Sequence, residues 1–395
     1  MRGIISENFA LDDVTAPPAS LFSEAALMYK RQMDMKSKKR VEYIHELFPD
    51  GVPKLWCPSL AHFTAEGAID SHRIERHLRF ISPWVGGLLV PGTTGEGWEL
   101  SDDEAMKILE ITLRAATELR LWVLVGVLKP TAEEMIAFVE RALDRIGIVR
   151  AGEAGQPGAS SPEASRELIR DLRTHRIAGF TFCAPRGALL SQEAIADGLR
   201  KVLDLRLPSA LYQLPQVTGN EIAPETAQEL CHTYENLFLF KDSSGSDRIL
   251  SSGLDFGGSF FARGAEGDYL EWFTRAKGSY DGFLLSTANC FPRHLSEVVA
   301  EGTPPDRSRQ SSRLISAVIN EAFNAVRPVG SGNLFTNANK AIDHFNAWGP
   351  AALGLAGPRL HDGTVISQEV IAQVGKILRR HDLTPVDGYL DEGRS

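Results

Sequence analysis

Eight short apolar runs, rich in β-branched and aromatic residues, alternate along the chain with stretches whose apolar positions recur every three or four residues. The runs begin near Lys54 (KLWCPSL), Gly86 (GGLLVPG), Leu121 (LWVLVGVL), Ala178 (AGFTFCAP), Pro208 (PSALYQLP), Asn236 (NLFLFKD), Gly258 (GSFFARG) and Tyr280 (YDGFLLSTAN). Each reads as a strand. Among the intervening helical signals the clearest face is Ala105, Ile108, Leu109, Thr112, Leu113 and Ala116. Ser101 with Glu104, and Thr131 with Glu134, have the capping-box spacing that starts a helix. Successive runs start 32, 35, 57, 30, 28, 22 and 22 residues apart, close to one βα unit except at the third interval. That excess contains 147–163 (GIVRAGEAGQPGASSPE), whose Gly, Ala, Ser and Pro content predicts a surface loop inserted around the third helix. Eight βα units close most economically as an α/β fold of the (β/α)8 TIM-barrel type. An open doubly wound sheet is the competing arrangement, and periodicity does not choose between them.

The barrel is expected over 51–302, preceded by an N-terminal extension at 1–50 and followed by a C-terminal helical region at 303–395. In the N-terminal arm, Lys36, Lys38, Lys39 and Arg40 read as a solvated helix face. Gly302–Arg307 reads as a linker. Beyond it, Ile366, Val370, Ile371, Val374, Ile377 and Leu378 form one apolar stripe, ahead of a polar tail with Asp391, Glu392 and Arg394. The helical region is expected to pack on the barrel or on another subunit.

The chain has 395 residues, 43% of them hydrophobic and 24% charged, which suits one large globular domain with additions. Forty-two Lys and Arg against 51 Asp and Glu leave a formal charge of −9, so nucleic acid is not an expected partner. The longest apolar stretch, Leu121–Leu128, is too short to span a membrane. No apolar segment of the secretory kind follows Arg2, so a reducing cytoplasm is the expected compartment. Cys57, Cys183, Cys231 and Cys290 are scattered and unpaired in spacing, and read as core thiols. His72 and His77, in HRIERH, are five residues apart and lie on different faces of a helix, so the pair reads as a solvated helix and not as a metal site. No metal or other cofactor is expected.

Three segments carry candidate chemistry. Lys241 ends the apolar strand Leu237–Phe240 and precedes Asp242-Ser243-Ser244-Gly245. In a βα barrel the carboxyl ends of the strands face the active site. An amine sheltered there loses charge and becomes nucleophilic. A lysine that reaches out to solvent, or pairs with Asp242, fits its position equally well. Gly92-Thr93-Thr94-Gly95-Glu96 follows the second strand, and its glycines, hydroxyls and amides suit a carboxylate. An ordinary glycine-rich βα turn would look the same. Tyr212 ends the fifth strand in Tyr212-Gln213-Leu214-Pro215, where a phenol can move a proton to a substrate oxygen or simply fill the core. All three point to one end of the barrel.

With GTTGE at 92–96, YQLPQVTG at 212–219 and KDSSG at 241–245, the chain resembles the dihydrodipicolinate synthase and N-acetylneuraminate lyase family of class I, pyruvate-utilising aldolases, over roughly Leu55 to Leu378. The resemblance implies a (β/α)8 barrel with C-terminal helices and a homodimer or homotetramer. It makes Lys241 the Schiff-base lysine, Tyr212 the proton-transfer phenol, and Thr93 and Thr94 the holders of a 2-oxo acid carboxylate. Gly264 stands where the family has a glycine lining the site, and Leu284 where it offers a backbone carbonyl. Two departures stand out. Family synthases carry an arginine after the catalytic tyrosine to hold the aldehyde's carboxylate, and this chain has Val217 there. They also carry a relay tyrosine in a P-Y-Y segment after the fourth strand, where this chain has Pro185-Arg186-Gly187. Without that hydroxyl, water, Thr94 or a substrate group must pass the proton, or turnover is lost.

The function expected is a Schiff-base-forming lyase acting on a 2-oxo acid, by aldol cleavage or condensation with pyruvate or by dehydration of a 2-keto-3-deoxy sugar acid. Dihydrodipicolinate synthase itself and a non-catalytic 2-oxo acid sensor on the same barrel are the alternatives. Arg186, Lys129 and Arg263, near predicted strand ends, are candidates for the distal end of the substrate, although solvent-exposed loop cations are the plainer reading. Trp98 either walls the pocket or packs under its loop.

Overall fold

The eight runs are the eight parallel strands of one closed barrel, arranged in chain order, in a computed structural model that describes residues 35, 37–148, 162–273 and 280–391. They are β1 (Leu55–Pro58), β2 (Gly87–Val90), β3 (Trp122–Val127), β4 (Ile177–Cys183), β5 (Ser209–Gln213), β6 (Leu237–Asp242), β7 (Phe260–Arg263) and β8 (Gly282–Leu284). Pairing of β1 with β8, Trp56 opposite Leu284, closes the ring and excludes the open sheet. Successive side chains alternate between two cores, as a covered barrel requires. Leu89 and Leu124 point inward with Trp56, Ala210, Ala262 and Leu284. Leu88, Val90, Val123 and Val125 point outward beneath the helices.

Helix α1 (residues 37–47) precedes the barrel. The connections carry α2 (Ser71–Ile81), α3 (Asp102–Leu119), α4 (Ala132–Ile146), α5 (Pro162–Thr174), α6 (Gln192–Leu203), α7 (Pro215–Thr218), α8 (Pro224–Thr233), α9 (Arg248–Ser251) and α10 (Tyr269–Phe273). After β8 come α11 (Pro292–Val299), α12 (Pro305–Ala325), α13 (Leu334–Trp348) and α14 (Gln368–Arg380). Both expected caps form: Ser101 and Glu104 exchange hydrogen bonds as a capping box, and Thr131 Oγ1 accepts from the Glu134 amide. The long third interval holds two helices, α4 and α5, and not only a loop. Residues 149–161 of the expected insertion lie outside the described residues, as do Lys36, Glu392 and Arg394. The expected linker at 302–307 runs into α12, which starts at Pro305. The stripe on α14 is buried as its spacing predicts. Among the described residues no helix is long and apolar enough to cross a membrane. All four cysteines are free and buried.

The basic arm departs from its expected solvated state. Lys38 and Lys39 are exposed, but Arg40 is 1% exposed. Its guanidinium donates to the carbonyls of Cys231 and Tyr234 (2.8 Å) at the end of α8, and of Phe256 (3.2 Å) and Gly257 (2.6 Å) before β7. A cation suits the carbonyl end of a helix. Gly257 has φ +59°, and a Cβ there would lie 2.7 Å from Arg40 Nη1, so the loop needs glycine to admit the arginine. Leu47 and Phe48, at the end of α1, plug the amino-terminal end of the barrel. The Phe48 ring meets Trp122 at 5.0 Å, Phe238 at 5.5 Å and Trp56 at 6.3 Å. The opposite end is left for the site.

Candidate active site

Pairing in the barrel places Cys183, Tyr212, Lys241 and Ala262 side by side on β4, β5, β6 and β7. Lys241 is 3% exposed and lies with Tyr212 at the carboxyl ends of the strands, Nζ 3.9 Å from the centroid of the phenol ring. Burial pulls its pKa down from 10.5 to about 7, against weaker upward pulls from Cys183, Glu266 and Cys57. Pairing with Asp242 does not occur: that carboxylate accepts from the Ser244 amide (2.9 Å) and the Tyr280 hydroxyl (3.3 Å). Burial pushes the Tyr212 phenol upward, and the Cys183 thiol up to about 12, so both are neutral beside the amine.

Thr93 and Thr94 sit on a short 3-10 turn, Thr93–Gly95, after β2. Thr93 Oγ1 lies 3.5 Å from Tyr212 Oη and accepts from Trp98 Nε1 at 3.2 Å. Its own hydroxyl proton is therefore free for the phenol or for a ligand. Trp98 thus belongs to the wall of the site. The turn is braced from outside the barrel through Glu96 of the GTTGE segment and through partners that its spacing does not announce. Buried Glu96 pairs with buried Lys340 on α13 and accepts from the His361 amide at 2.8 Å, while Thr336 Oγ1 donates to the Thr93 carbonyl at 3.4 Å. Glu96 and Lys340 are far apart in the chain, and no local spacing announces the pair. Glu266, after β7, was likewise missed. It accepts from Ser286 Oγ (2.5 Å), the Thr287 amide (3.0 Å) and Tyr269 Oη (2.8 Å), and its charge reaches Lys241.

Gly264 directly follows β7, against the lysine. A Cβ there would collide with Ser243 Oγ and lie 2.7 Å from Lys241 Cε. Gly264→Ala is expected to keep the circular dichroism of the barrel and to lower turnover by about 100-fold, because it displaces the amine. Unchanged turnover would mean the lysine tolerates the displacement. Leu284 is buried in the barrel interior. Arg186 is exposed at the rim, its guanidinium 5.0 Å over the Trp98 ring and its Nε donating to the Val217 carbonyl at 3.2 Å. Lys129 and Arg263 are not positioned for substrate. Lys129 pairs with Asp102. Arg263 is neither a ligand-facing nor a solvent-exposed cation: it is buried on Asp247 (Nε–Oδ1 3.1 Å) and on the carbonyls of Ala265 and Gly267. Ala262 faces the barrel interior, so strand alternation turns Arg263 to the other side, where Asp247 receives it.

Residues 54–149 match the Dihydrodipicolinate synthetase family. A 4-hydroxy-tetrahydrodipicolinate synthase of Agrobacterium fabrum is 26% identical over 258 residues, which cover 64% of this chain and 75% of that protein. Among solved structures, the chain is similar to a prophage protein of the dihydrodipicolinic acid synthase family from E. coli K12 in complex with pyruvate. That likeness has TM-score 0.63 and 18% identity, and covers 84% of this chain and 99% of that one. KD(P)GA from T. tenax is also similar, with TM-score 0.61, 20% identity and coverage of 83% and 99%.

Proposed function

We propose that the chain is a member of the dihydrodipicolinate synthase family, whose model its residues 54–149 match, and that it is a Schiff-base-forming lyase acting on a 2-oxo acid. The observation that carries this reading is a buried lysine, in no ion pair among the described residues, packed on the face of a tyrosine at the carboxyl end of the barrel strands. Near neutral pH about half of such an amine is uncharged, against roughly one lysine in a few thousand in water. Nζ adds to the C2 ketone, the ketone oxygen leaves as water, and the resulting iminium accepts the electron pair of a bond broken at C3. Tyr212 moves the proton to and from the departing oxygens. Thr93 and Thr94 hold the carboxylate so that the ketone faces the amine, and the Glu266 carboxylate favours the iminium charge. The backbone carbonyl of Leu284 and Gly264, whose missing side chain leaves room for the lysine, complete the floor of the site.

Val217 in place of the family arginine argues against synthesis of dihydrodipicolinate and for a different acceptor, as in aldol cleavage to pyruvate or dehydration of a 2-keto-3-deoxy sugar acid. Arg186, tethered to the Val217 carbonyl, is assigned to the distal polar end of that substrate. With Gly187 in place of the relay tyrosine, Thr93 Oγ1 lies 3.5 Å from the phenol and the Ser243 hydroxyl also interacts with it, so the proton path is assigned to one of these hydroxyls or to Thr94 and water. Assembly as a homodimer or homotetramer follows the family.

Borohydride reduction in the presence of pyruvate and of 2-keto-3-deoxy sugar acids tests the reading. A reduced adduct on the peptide containing Lys241, with cleaved or dehydrated product appearing over hours, is expected. Absence of an adduct with every acid would reject the covalent mechanism, and an adduct without product would identify a sensor.

A further inference from the structure

We propose that His62, His77 and Asp343 form a site for a divalent transition-metal ion of the zinc class, which ties the C-terminal helices to the first βα unit. The three residues come from different parts of the chain: the turn after β1, helix α2 and helix α13. All are at most 2% exposed, and their ligand atoms lie within 4.8 Å of one another. His77 Nδ1 is 3.0 Å from Asp343 Oδ1, and His62 Nε2 is 3.8 Å from Asp343 Oδ2. Yet neither nitrogen forms a hydrogen bond of acceptable geometry. Buried polar atoms of this kind ordinarily have partners.

The tautomer of His77 sharpens the point. Asn289 Nδ2 donates to the carbonyls of Pro58 (3.0 Å) and Ser286 (2.8 Å), and its Oδ1 accepts from the Leu60 amide (3.1 Å). Turning the amide over would break all three bonds. The same Oδ1 is 3.0 Å from His77 Nε2, so Nε2 must carry the proton. In a neutral ring the lone pair is then on Nδ1, facing a carboxylate oxygen at 3.0 Å. That contact calls for a proton or a metal ion on Nδ1. A proton on Nδ1 would serve that one contact and leave His62 Nε2 without a partner. A metal ion serves all three groups.

Two imidazoles and one carboxylate are the borderline donor set that suits zinc and cobalt. The surroundings resemble an outer shell that orients ligands. Asn289 holds His77, while Tyr389 Oη donates to both Asp343 oxygens (3.1 and 3.0 Å) and Arg73 Nη2 to Oδ2 (3.2 Å). Arg73 also sets the electrostatic cost, since its charge repels a dication bound to the same carboxylate. Removing it should therefore strengthen metal binding, an effect that a purely structural hydrogen-bond cluster would not produce.

The test is titration of the full chain, stripped with EDTA, with Co2+, read by its visible d–d absorption. One equivalent is expected to bind with the intense bands of a low-coordinate ion. His62→Gln and Asp343→Asn should lose the bands, Arg73→Gln should tighten binding by about tenfold, and Lys241→Met should leave it unchanged. If the wild-type chain shows no such bands, or if they survive His62→Gln, the site does not exist. The wild-type titration decides even if a variant fails to fold, and it does not depend on the Schiff-base reading.

Discussion

Replacement of Lys241 by Met is expected to abolish the borohydride-trapped adduct and turnover while making the folded protein more stable. The first effect follows because, among the described residues, Lys241 is the amine placed beside Tyr212. The second follows from linkage. Burial lowers the folded-state pKa of Lys241 to about 7, whereas the unfolded chain titrates at the ordinary value of 10.5. Between those values the unfolded state binds more protons, so wild-type stability from this group rises with pH. The cost is complete below about pH 7 and vanishes above the unfolded value. Methionine has similar length and no charge to desolvate, so Lys241→Met should gain on the order of a few kcal/mol at neutral pH. The gain should shrink as pH rises towards 10. Urea denaturation of both proteins from pH 6 to pH 10 measures it. A variant no more stable than wild type at pH 7 would mean that the amine is hydrated, and the nucleophile would lose its physical basis. The wild-type rate of adduct formation should also climb through pH 7 as the amine is deprotonated.

The barrel was legible because its strands are covered on both faces, so each appears in the sequence as a short continuous apolar run between helical stretches. Closure was not legible, since it depends on β1 meeting β8, a pairing between runs more than two hundred residues apart. Two polar residues misled for a related reason. Arg40 stands in a basic cluster and looks solvated, but its fate is decided by carbonyls on α8 and before β7. His77 was set beside His72 by the HRIERH spacing. It is His72 that is exposed, and His77 lies on the buried face with Ile74, Leu78 and Ile81. That i, i+3, i+4 and i+7 pattern was present in the sequence and marks His77 as a core histidine.

In the site, the residues read from strand ends come together because barrel register carries them there: Tyr212 and Lys241 are direct partners across β5 and β6. Thr93 joins them through the turn after β2. What the sequence could not show is which cations remain available. Lys129, Arg186 and Arg263 all follow strands, and only the fold reveals that Asp102 and Asp247 occupy the first and the last. The brace beneath the threonine turn was hidden in the same way. Glu96 was visible in GTTGE, but its partner Lys340 lies on a helix beyond the barrel. The C-terminal helices therefore help to position the proposed carboxylate-binding hydroxyls, as well as covering apolar surface.

Arg40→Met should cost about 3–5 kcal/mol, the range for removing one side of a buried charged contact. The arginine is the common partner of four carbonyls from two separate segments, so its loss leaves acceptors at the end of α8 and before β7 without their donor. Methionine replaces the aliphatic stem but none of those bonds. Water can recover some of the carbonyls, which sets the lower end of the range. The same change also releases α1 from α8, loosening the Leu47 and Phe48 plug against Trp56, Trp122 and Phe238. A fall of several degrees in the melting temperature is therefore expected, with unfolding that starts at the amino-terminal end of the barrel. Hydrogen exchange should show lost protection in α1 and in the amino-terminal ends of β1 and β6 before the carboxyl-terminal ends respond. Lys39→Met, at an exposed neighbour, is the control and should change neither measurement. If Arg40→Met melts with the control, the four carbonyls are satisfied by water at no cost and the arm does not stabilise the barrel.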